Sequence, residues 1–557
     1  MRKPARTPFS NSPAPNLKRY REIVSVLARH GFGSFLADVQ LEHHISLPSR
    51  LLKQGDKPHI SPADHLRLAL EELGPTFIKL GQILSTRPDI LPPDYIKEIS
   101  KLKDSVPPNP WEDIRAKLVE EMGSEPEQFF EQIDPVPLGA ASLAQVHAAA
   151  LKSGEEVVVK VQRPDILATI ESDLEILKDM ASLAQRTPWG ELNHPEEMVE
   201  EFAYSLHNEL DYRREGQNAD RFQANFEGSE YLYLPKIYWE YTSQRVLVLE
   251  RIQGIKIDDI AALDAAGYDR ERVAIHAADM IVKEILQDGF FHADPHAGNY
   301  IIMPGEVIGA MDFGLVGELT ERDRTHLAQL YVSIIALDAD SIIDELIRMG
   351  VVHSGTDRSR LRRDVERLLG KYTGAMLKDI NIQEILEEIT TLCSRHRLSI
   401  PSNLWLLGKS LAMIEGLGLQ LDPDFDFFAV SEPYVQQLKL QMCLPKVEWG
   451  QALLRQGTDW AEFLNMLPRT GRHFLEKAER NELLEIGLKD SGRLLDVLSR
   501  LVNRLSLSIV IAGLVVSLAI LITVTTSGSP LQIVIVAGFI ATLSLGIWLL
   551  ICIVRGI

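Results

Sequence analysis

The stretch HADPHAGNY, residues 292–300, constrains this chain more than any other. It places His292, Asp294 and His296 at alternate positions and adds Asn299 five residues after Asp294. Thirteen residues further on, Asp312 opens the sequence DFGLVG. Alternating His, Asp and His could ligate zinc, which takes imidazole and carboxylate readily. That reading leaves Asn299 and Asp312 without a role.

Phosphoryl transfer asks for a different set. One carboxylate positions the attacking hydroxyl, an Asn and an Asp hold Mg²⁺, and a Lys steadies the α- and β-phosphates. The kinase signature H-R-D-L-x-x-x-N has its Asn five after the Asp and is followed by D-F-G. HADPHAGN repeats that spacing, and the DFG is literal. Upstream, the apolar run VVVKV carries one charge, Lys160, where such a strand carries its phosphate-binding Lys. Alone, Lys160 would read as a strand lysine reaching for solvent. In this company and order it reads as functional.

A buried Lys of this kind needs a carboxylate partner, and PEEMVEEFAYSLHNELDYRRE (195–215) offers several. Glu200 and Glu201 belong to a solvated face. Read as one regular helix, the segment puts Asp211 and Glu215 on a common face and points Glu209 elsewhere. Where a glycine-rich loop would cover phosphates, the chain has PLGAASLAQVH (137–147), in which only Gly139 remains. Alanine Cβ atoms keep a backbone from nestling against phosphate as glycines do. No A-P-E follows the DFG. Both features speak against an ordinary protein kinase.

At 557 residues, two or more domains are expected. Residues 61–104 predict helices behind a Ser61-Pro62 start, and WEDIRAKLVEEMG predicts another. Strands and strand-linking loops follow, with one long helical block among them, and from about 261 the chain reads as mostly helical to 500. The layout is α+β, a small strand-rich lobe before a larger helical one. The N-terminus MRKPARTPFSNSPAPNLKRY lacks an apolar core for a secretory signal and reads as a short disordered tail.

From Leu505 to Val554 there is no charged residue, and TTSGSP interrupts the run at 525–530. Each arm is long enough for a helix to cross the roughly 30 Å of a bilayer core, so a transmembrane hairpin is expected. Arg500, Arg504 and Arg555 flank it, which places both chain ends in the cytoplasm by the positive-inside rule. A net charge of −20 and the lack of a basic stripe argue against nucleic acid. Three widely separated cysteines make neither a disulfide framework nor a zinc site.

With these motifs in order, the chain resembles the UbiB/AarF family of atypical kinase-like proteins, related to protein kinases and aminoglycoside phosphotransferases and associated with ubiquinone biosynthesis. The likeness spans roughly residues 60–430. It rests on FIKLGQILSTRPDILPPDY, PLGAASLAQVH, VVVKVQRP, ELDYRREGQNADRF, HADPHAGN, DFG and SLAMIEGLGLQLDPDF. It implies a protein-kinase-like two-lobe fold with an N-terminal helical extension. The divisions would be a variable region (1–60), the extension (61–130), an N-lobe (131–255), a helical C-lobe (256–440), an amphipathic helical linker (441–504) and two transmembrane helices (505–554).

By the same resemblance, Lys160 would bind phosphates and pair with Glu215, and Asp294 would be the catalytic Asp. Asn299 and Asp312 would hold Mg²⁺. Ala140, Ala141 and Ser142 would line the nucleotide, and backbone near Glu250 and Ile252 would contact adenine. Lys79 and Gln82 of the extension would face the nucleotide region, where Lys79 would meet Glu209 or Asp211. His292 and His296 would have supporting roles. Gly216 stands where an Ala commonly follows the helix Glu, which would loosen that helix by about 1 kcal/mol. The implied activity is that of an inner-membrane, Mg²⁺-dependent, ATP-binding ATPase promoting quinone biosynthesis, its catalytic region cytoplasmic. An isoprenoid quinone precursor or membrane lipid, and quinone-biosynthesis enzymes, would be its partners. A true kinase acting on a hydroxyl and a nucleotide-binding scaffold without turnover are the alternatives.

Overall fold

The computed structural model describes residues 14–32 and 61–443, apart from gaps at 86, 88–89, 103–105, 188–189, 191–193, 354 and 373–380. The expected transmembrane hairpin and the linker from 444 onward lie outside the described residues. Among those described, no helix is long and apolar enough to cross a membrane.

Part of the expected N-terminal tail is ordered helix. Helix α1 (Ala14–Leu27) buries Tyr20, Ile23 and Val24, whose spacing makes a one-sided apolar stripe despite the polar composition around them. Arg19 fixes it in place, bonding Asp173 at 2.8 Å and the Leu73 carbonyl at 2.6 Å. Helix α2 (Pro62–Leu73) starts on a Ser61/Asp64 capping box and stops at Gly74, whose φ of +94° ends the helix. Helix α3 (Pro75–Leu84) restarts on a proline, and α4 (Pro93–Ile99) completes the extension. The glycine of KLGQ has a packing role. A Cβ on Gly81 would sit 2.3 Å from Leu102 Cδ1 and 2.8 Å from Leu70 Cδ1, so α3 can approach its neighbours only without one.

Helix α5 (Trp111–Met122) closes on Gly123 in the left-handed region and leads into the N-lobe sheet. That sheet comprises β1 (Phe130–Ile133), β2 (Gly139–Ala140), β3 (Ala144–Leu151) and β4 (Glu156–Gln162). Helices α6 (Ile166–Ala184), α7 (Pro195–Glu209) and α8 (Tyr212–Asn225) follow, then β5 (Leu232–Tyr233) and β6 (Val246–Glu250). The antiparallel order is β1-β3-β4-β6, with β2 on the outer end of β3. On β4 the pleat buries Val157, Val159 and Val161 against Ile114 and Leu118 of α5. Period two then turns Lys160 to the opposite face.

The C-lobe is less purely helical than its sequence suggests. After β7 (Ile255–Lys256), α9 (Ile260–Ala266) and α10 (Arg270–Lys283) come β8 (Phe290–His292), β9 (Tyr300–Met303), β10 (Val307–Ala310) and β11 (Val316–Glu318). These pair as β5-β10-β9-β7 and β11-β8. Strands of three or four residues are too short to show alternation, which is why the helical reading overran them. Helices α11 (Glu321–Ile335), α12 (Ala339–Arg348), α13 (Arg358–Tyr372), α14 (Ile382–His396), α15 (Ser402–Leu421) and α16 (Phe427–Cys443) complete the lobe. Its main core joins α10 and α15 through Met280, Ile281, Ile414 and Leu417, with Phe290 and Phe291 of β8 beneath.

The extension has its own core, which includes Phe77, Ile78, Phe202, Leu206 and Leu143. Leu143 belongs to the Ala-rich hairpin, so that hairpin's tip is inserted among extension helices. Replacing Gly81 by Ala should destabilise the full-length protein by about 1–3 kcal/mol through overpacking, although Ala favours the helix. A thermal or urea melt checks this. An unchanged or raised midpoint would mean that α3 moves freely away from Leu102.

Candidate active site

Three of the implied residues, Lys160, Glu215 and Asp312, meet between the lobes. Lys160 Nζ lies 2.7 and 2.8 Å from the two carboxylate oxygens of Glu215, on α8, and 3.3 Å from Asp312 Oδ2, just past β10. Burial opposes a charged Lys160, but Asp312 and Glu215 outweigh it and lift the ammonium well above its ordinary value. Burial also pushes Glu215 up, to about 7, against the pull of Lys160. At Asp312 burial is overcome by Lys160, the Gly314 N–H and His292, which hold the carboxyl below the usual carboxylate range. Removing Lys160 would leave the Glu215 carboxylate buried without a counter-charge, whereas Asp312 keeps water contact on one side.

The DFG segment is locked in the same way. Asp312 Oδ1 accepts from Gly314 N–H at 2.8 Å, Phe313 is buried against Phe222 of α8, and Asn218 donates to the Phe313 carbonyl at 3.0 Å. The catalytic-type loop hangs between β8 and β9. Asn299 Nδ2 donates to the Asp294 carbonyl at 3.2 Å, which leaves its Oδ1 as a hard oxygen donor, and the Asn299 carbonyl accepts from Met311 N–H, the residue before Asp312, at 3.0 Å. Asp294 Oδ1 meets Lys409 of α15 at 3.2 Å.

His292 is buried, and its Nδ1 accepts from Asp294 N–H at 3.1 Å. His296 is exposed, its ring lying over Gly298, where a Cβ would come within 2.9 Å. Among the described residues no three His, Cys, Asp or Glu side chains converge as a metal cluster. His292 thus holds the backbone of the loop at Asp294.

The segment 195–215 departs from the expected single helix. Helix α7 ends at Glu209 and α8 begins at Tyr212, with Asp211 as an extended N-cap accepting from Arg213 N–H. The break lets the chain turn in to the sheet edge, where Tyr212 N–H bonds the Gln244 carbonyl and Gln162 donates to the Leu210 carbonyl. Asp211 and Glu215 consequently do not share a face of one long helix. Lys79 pairs with Glu209, not with Asp211, whose carboxylate is held by Arg213 at 3.1 Å. Glu209 is close enough to Tyr212 and Glu215 to disfavour charge on both. Gln82, one turn on from Lys79, lies on the same extension helix. Gly216 is also explained by contact, since a Cβ there would meet Trp239 at 2.9 Å.

The Ala-rich stretch is a tight hairpin. Ala140 pairs with Gln145, and the Ala141 N–H is spent on the Ala144 carbonyl at 2.8 Å. Ser142 is fully buried, and the Leu143 carbonyl accepts from Arg163 N–H at 3.0 Å. Ala141 thus cannot offer its amide to phosphate. At the hinge, Glu250 ends β6, and its carboxylate takes Tyr233 Oη at 2.7 Å. Among the described residues the Ile252 N–H makes no hydrogen bond, which suits a donor to a ligand base edge.

Two site residues escaped the sequence reading. Lys409 sits in LLGKSLAMIEG, and a lone cation in an apolar helix was its only signal. Glu284, in MIVKEILQDGFF, is 3% exposed and accepts the His292 N–H at 2.9 Å. Burial raises its carboxyl to about 8.

Residues 101–346 match the ABC1 atypical kinase-like domain, 365–426 the UbiB helical domain and 489–555 the ABC1/UbiB kinase-like C-terminal domain. The chain is 32% identical over 541 residues to the uncharacterized protein of the hydrogenase 1 5′ region of Clostridium pasteurianum, covering 96% of this chain and 98% of that one. It is 39% identical over 379 residues to an uncharacterized protein of Synechocystis, covering 68% of this chain and 65% of the relative. Among solved structures, the Rv3197–erythromycin complex from Mycobacterium tuberculosis aligns with a TM-score of 0.48 at 23% identity, over 66% of this chain and 94% of that one. Rad53 residues 1–466 with AMP-PNP aligns with a TM-score of 0.20 at 14% identity, over 48% and 64%.

Glu284 gives a pH test. Its carboxyl titrates near 8 when folded and near 4.5 when free, so the native state holds the extra proton between those values. Its favourable share of stability is complete below about 4.5 and is lost as pH rises through about 8. Glu284→Gln should therefore flatten the fall in melting temperature between these pH values. Parallel wild-type and variant curves would overturn this assignment.

Proposed function

This chain belongs to the UbiB/ABC1 family of atypical kinase-like proteins, and we propose that it is an ATP-binding, Mg²⁺-dependent ATPase that supports isoprenoid quinone synthesis at the bacterial inner membrane. The observation that carries the catalytic part is the Lys160–Glu215–Asp312 cluster together with the Asp294–Asn299 loop, which the Met311 N–H joins to the residue before Asp312 through the Asn299 carbonyl at 3.0 Å. That arrangement supplies what phosphoryl transfer needs: a fixed cation, two oxygen donors and a carboxylate.

In this reading Lys160 binds the α- and β-phosphates, and Glu215 keeps its ammonium aimed along the cleft. Asn299 Oδ1 and the Asp312 carboxylate, which is 42% exposed, would hold Mg²⁺, both being the hard oxygen ligands that this ion takes. Bound there, the ion would neutralise charge on the phosphates. Asp294 orients a water and receives its proton as the water oxygen bonds to the γ-phosphorus. The bond to the bridging oxygen breaks, and its electron pair leaves with ADP. The Ile252 N–H and the backbone at Glu250 would hold adenine.

The pinned hairpin supports hydrolysis over transfer to a protein. Leu143 is buried in the extension core, a contribution of about 1.5–3 kcal/mol, so the covering loop is tied down instead of opening for a large acceptor. The quinone and membrane parts rest on the family and on the uncharged run 505–554. That run would anchor the site beside a lipid-soluble precursor.

Purified full-length protein should release phosphate from Mg-ATP, and Asp312→Asn should slow release about 100-fold or more. Equal release by both would remove catalysis from the reading, and label passing from γ-labelled ATP to an acceptor would make the protein a kinase. A strain lacking the protein should show an altered quinone profile, and an unchanged profile would remove the pathway assignment. Protease should digest residues 1–500 in sealed inverted vesicles, so their protection would reverse the topology.

A further inference from the structure

The ion pair on Asp294 comes from outside its own loop. Lys409 lies on α15, 115 residues away in sequence, yet its Nζ is 3.2 Å from Asp294 Oδ1. It belongs to the stretch 365–426 that matches the UbiB helical domain, beyond the kinase-like match that ends at residue 346. Two residues after Asp294 stands His296, whose ring lies over Gly298.

The neighbours of Lys409 fix its direction. Ser410 is fully buried, and its hydroxyl lies 3.1 Å from the His292 carbonyl and 2.9 Å from the Leu406 carbonyl. On the other side Gly408 lies so near Leu386 that a Cβ would come within 2.8 Å of it. The helix therefore cannot rotate without breaking its contact with the catalytic-type loop, and Lys409 is presented to Asp294. Both partners keep water contact, with side chains 40% and 35% exposed. A pair so exposed contributes only about 0–1 kcal/mol to stability, so folding alone gives no reason for a lysine here.

We infer that Lys409 is a positioning residue for phosphoryl transfer, held out by the helical domain to fix the carboxylate of Asp294. With Oδ1 on Lys409, Oδ2 is left to face the attacking oxygen. Because Asn299 hangs from the Asp294 carbonyl, the same contact steadies the Asn donor. The kinase-like unit is then incomplete as a catalyst until α15 docks against it. This inference rests on the ATP-hydrolysis reading above.

The test uses full-length protein carrying Lys409→Met, Lys409→Arg, Asp294→Asn or the Met and Asn changes together. Lys409→Met should lower kcat for phosphate release about 10- to 100-fold and leave KM for ATP within about twofold, because misplacing one reacting group slows the step without weakening nucleotide binding. Lys409→Arg should restore most of the rate. In the Asp294→Asn background the Met change should add no further loss. Without nucleotide, amide hydrogen exchange across residues 293–299 should quicken in Lys409→Met and return to wild type in Lys409→Arg.

Wild-type rate and exchange in Lys409→Met would overturn the inference, and so would an additive loss in the Asp294→Asn background. If the wild type releases no phosphate, the ATPase reading fails on its own. Exchange then decides alone: faster exchange in the Met variant supports the inference, and unchanged exchange overturns it.

Discussion

One buried ammonium organises this protein. Lys160 is kept charged by Glu215 and Asp312, and it can be so only if β4, α8 and the turn after β10 all reach the same point. Those elements belong to the N-lobe sheet, to the helix behind it and to the C-lobe. A single desolvated charge therefore ties together the parts that a nucleotide would have to bridge. Phe313, packed on Phe222, adds an apolar clamp directly beside it.

A second constraint comes from the helical extension. Its core takes in Leu143 from the Ala-rich hairpin, and its Lys79 pairs with Glu209 at the end of α7. Lys79 is mostly buried in that pair, while Glu209 stays half-exposed. The insertion of Leu143 converts a loop that would cover phosphates into a fixed corner of the fold. Gly81 permits the close packing of Leu70 and Leu102 within the extension, as Gly216 permits the approach of Trp239 behind Glu215. Both glycines are explained by close contact, and neither by loosening a helix.

The parts of the site legible in the sequence are those with short, fixed spacing. Asp294, Asn299 and Asp312 lie in the short connections that link β8 to β9 and β10 to β11, where a few residues of strand and turn leave little freedom, so order and interval pointed to them. The parts that were not legible depend on chain segments meeting from afar. Glu284 and Lys409 are ordinary helix residues until the fold sets one under His292 and the other beside Asp294. The break at Asp211 was hidden because an amphipathic pattern runs through both helices, although Asp is a good N-cap. The buried stripe of α1 was hidden in turn by its basic, proline-containing surroundings.

The sequence by itself determined the α+β two-lobe layout, the catalytic-type loop and the lysine that answers it. Periodicity, capping residues and motif spacing are local properties of a chain, and these features are local. Only the tertiary structure decided which carboxylate serves which lysine, that the Ala-rich hairpin is pinned by the extension, and that α15 reaches the reacting carboxylate. Those outcomes turn on side-chain direction and close packing between distant segments, which no interval along the chain encodes.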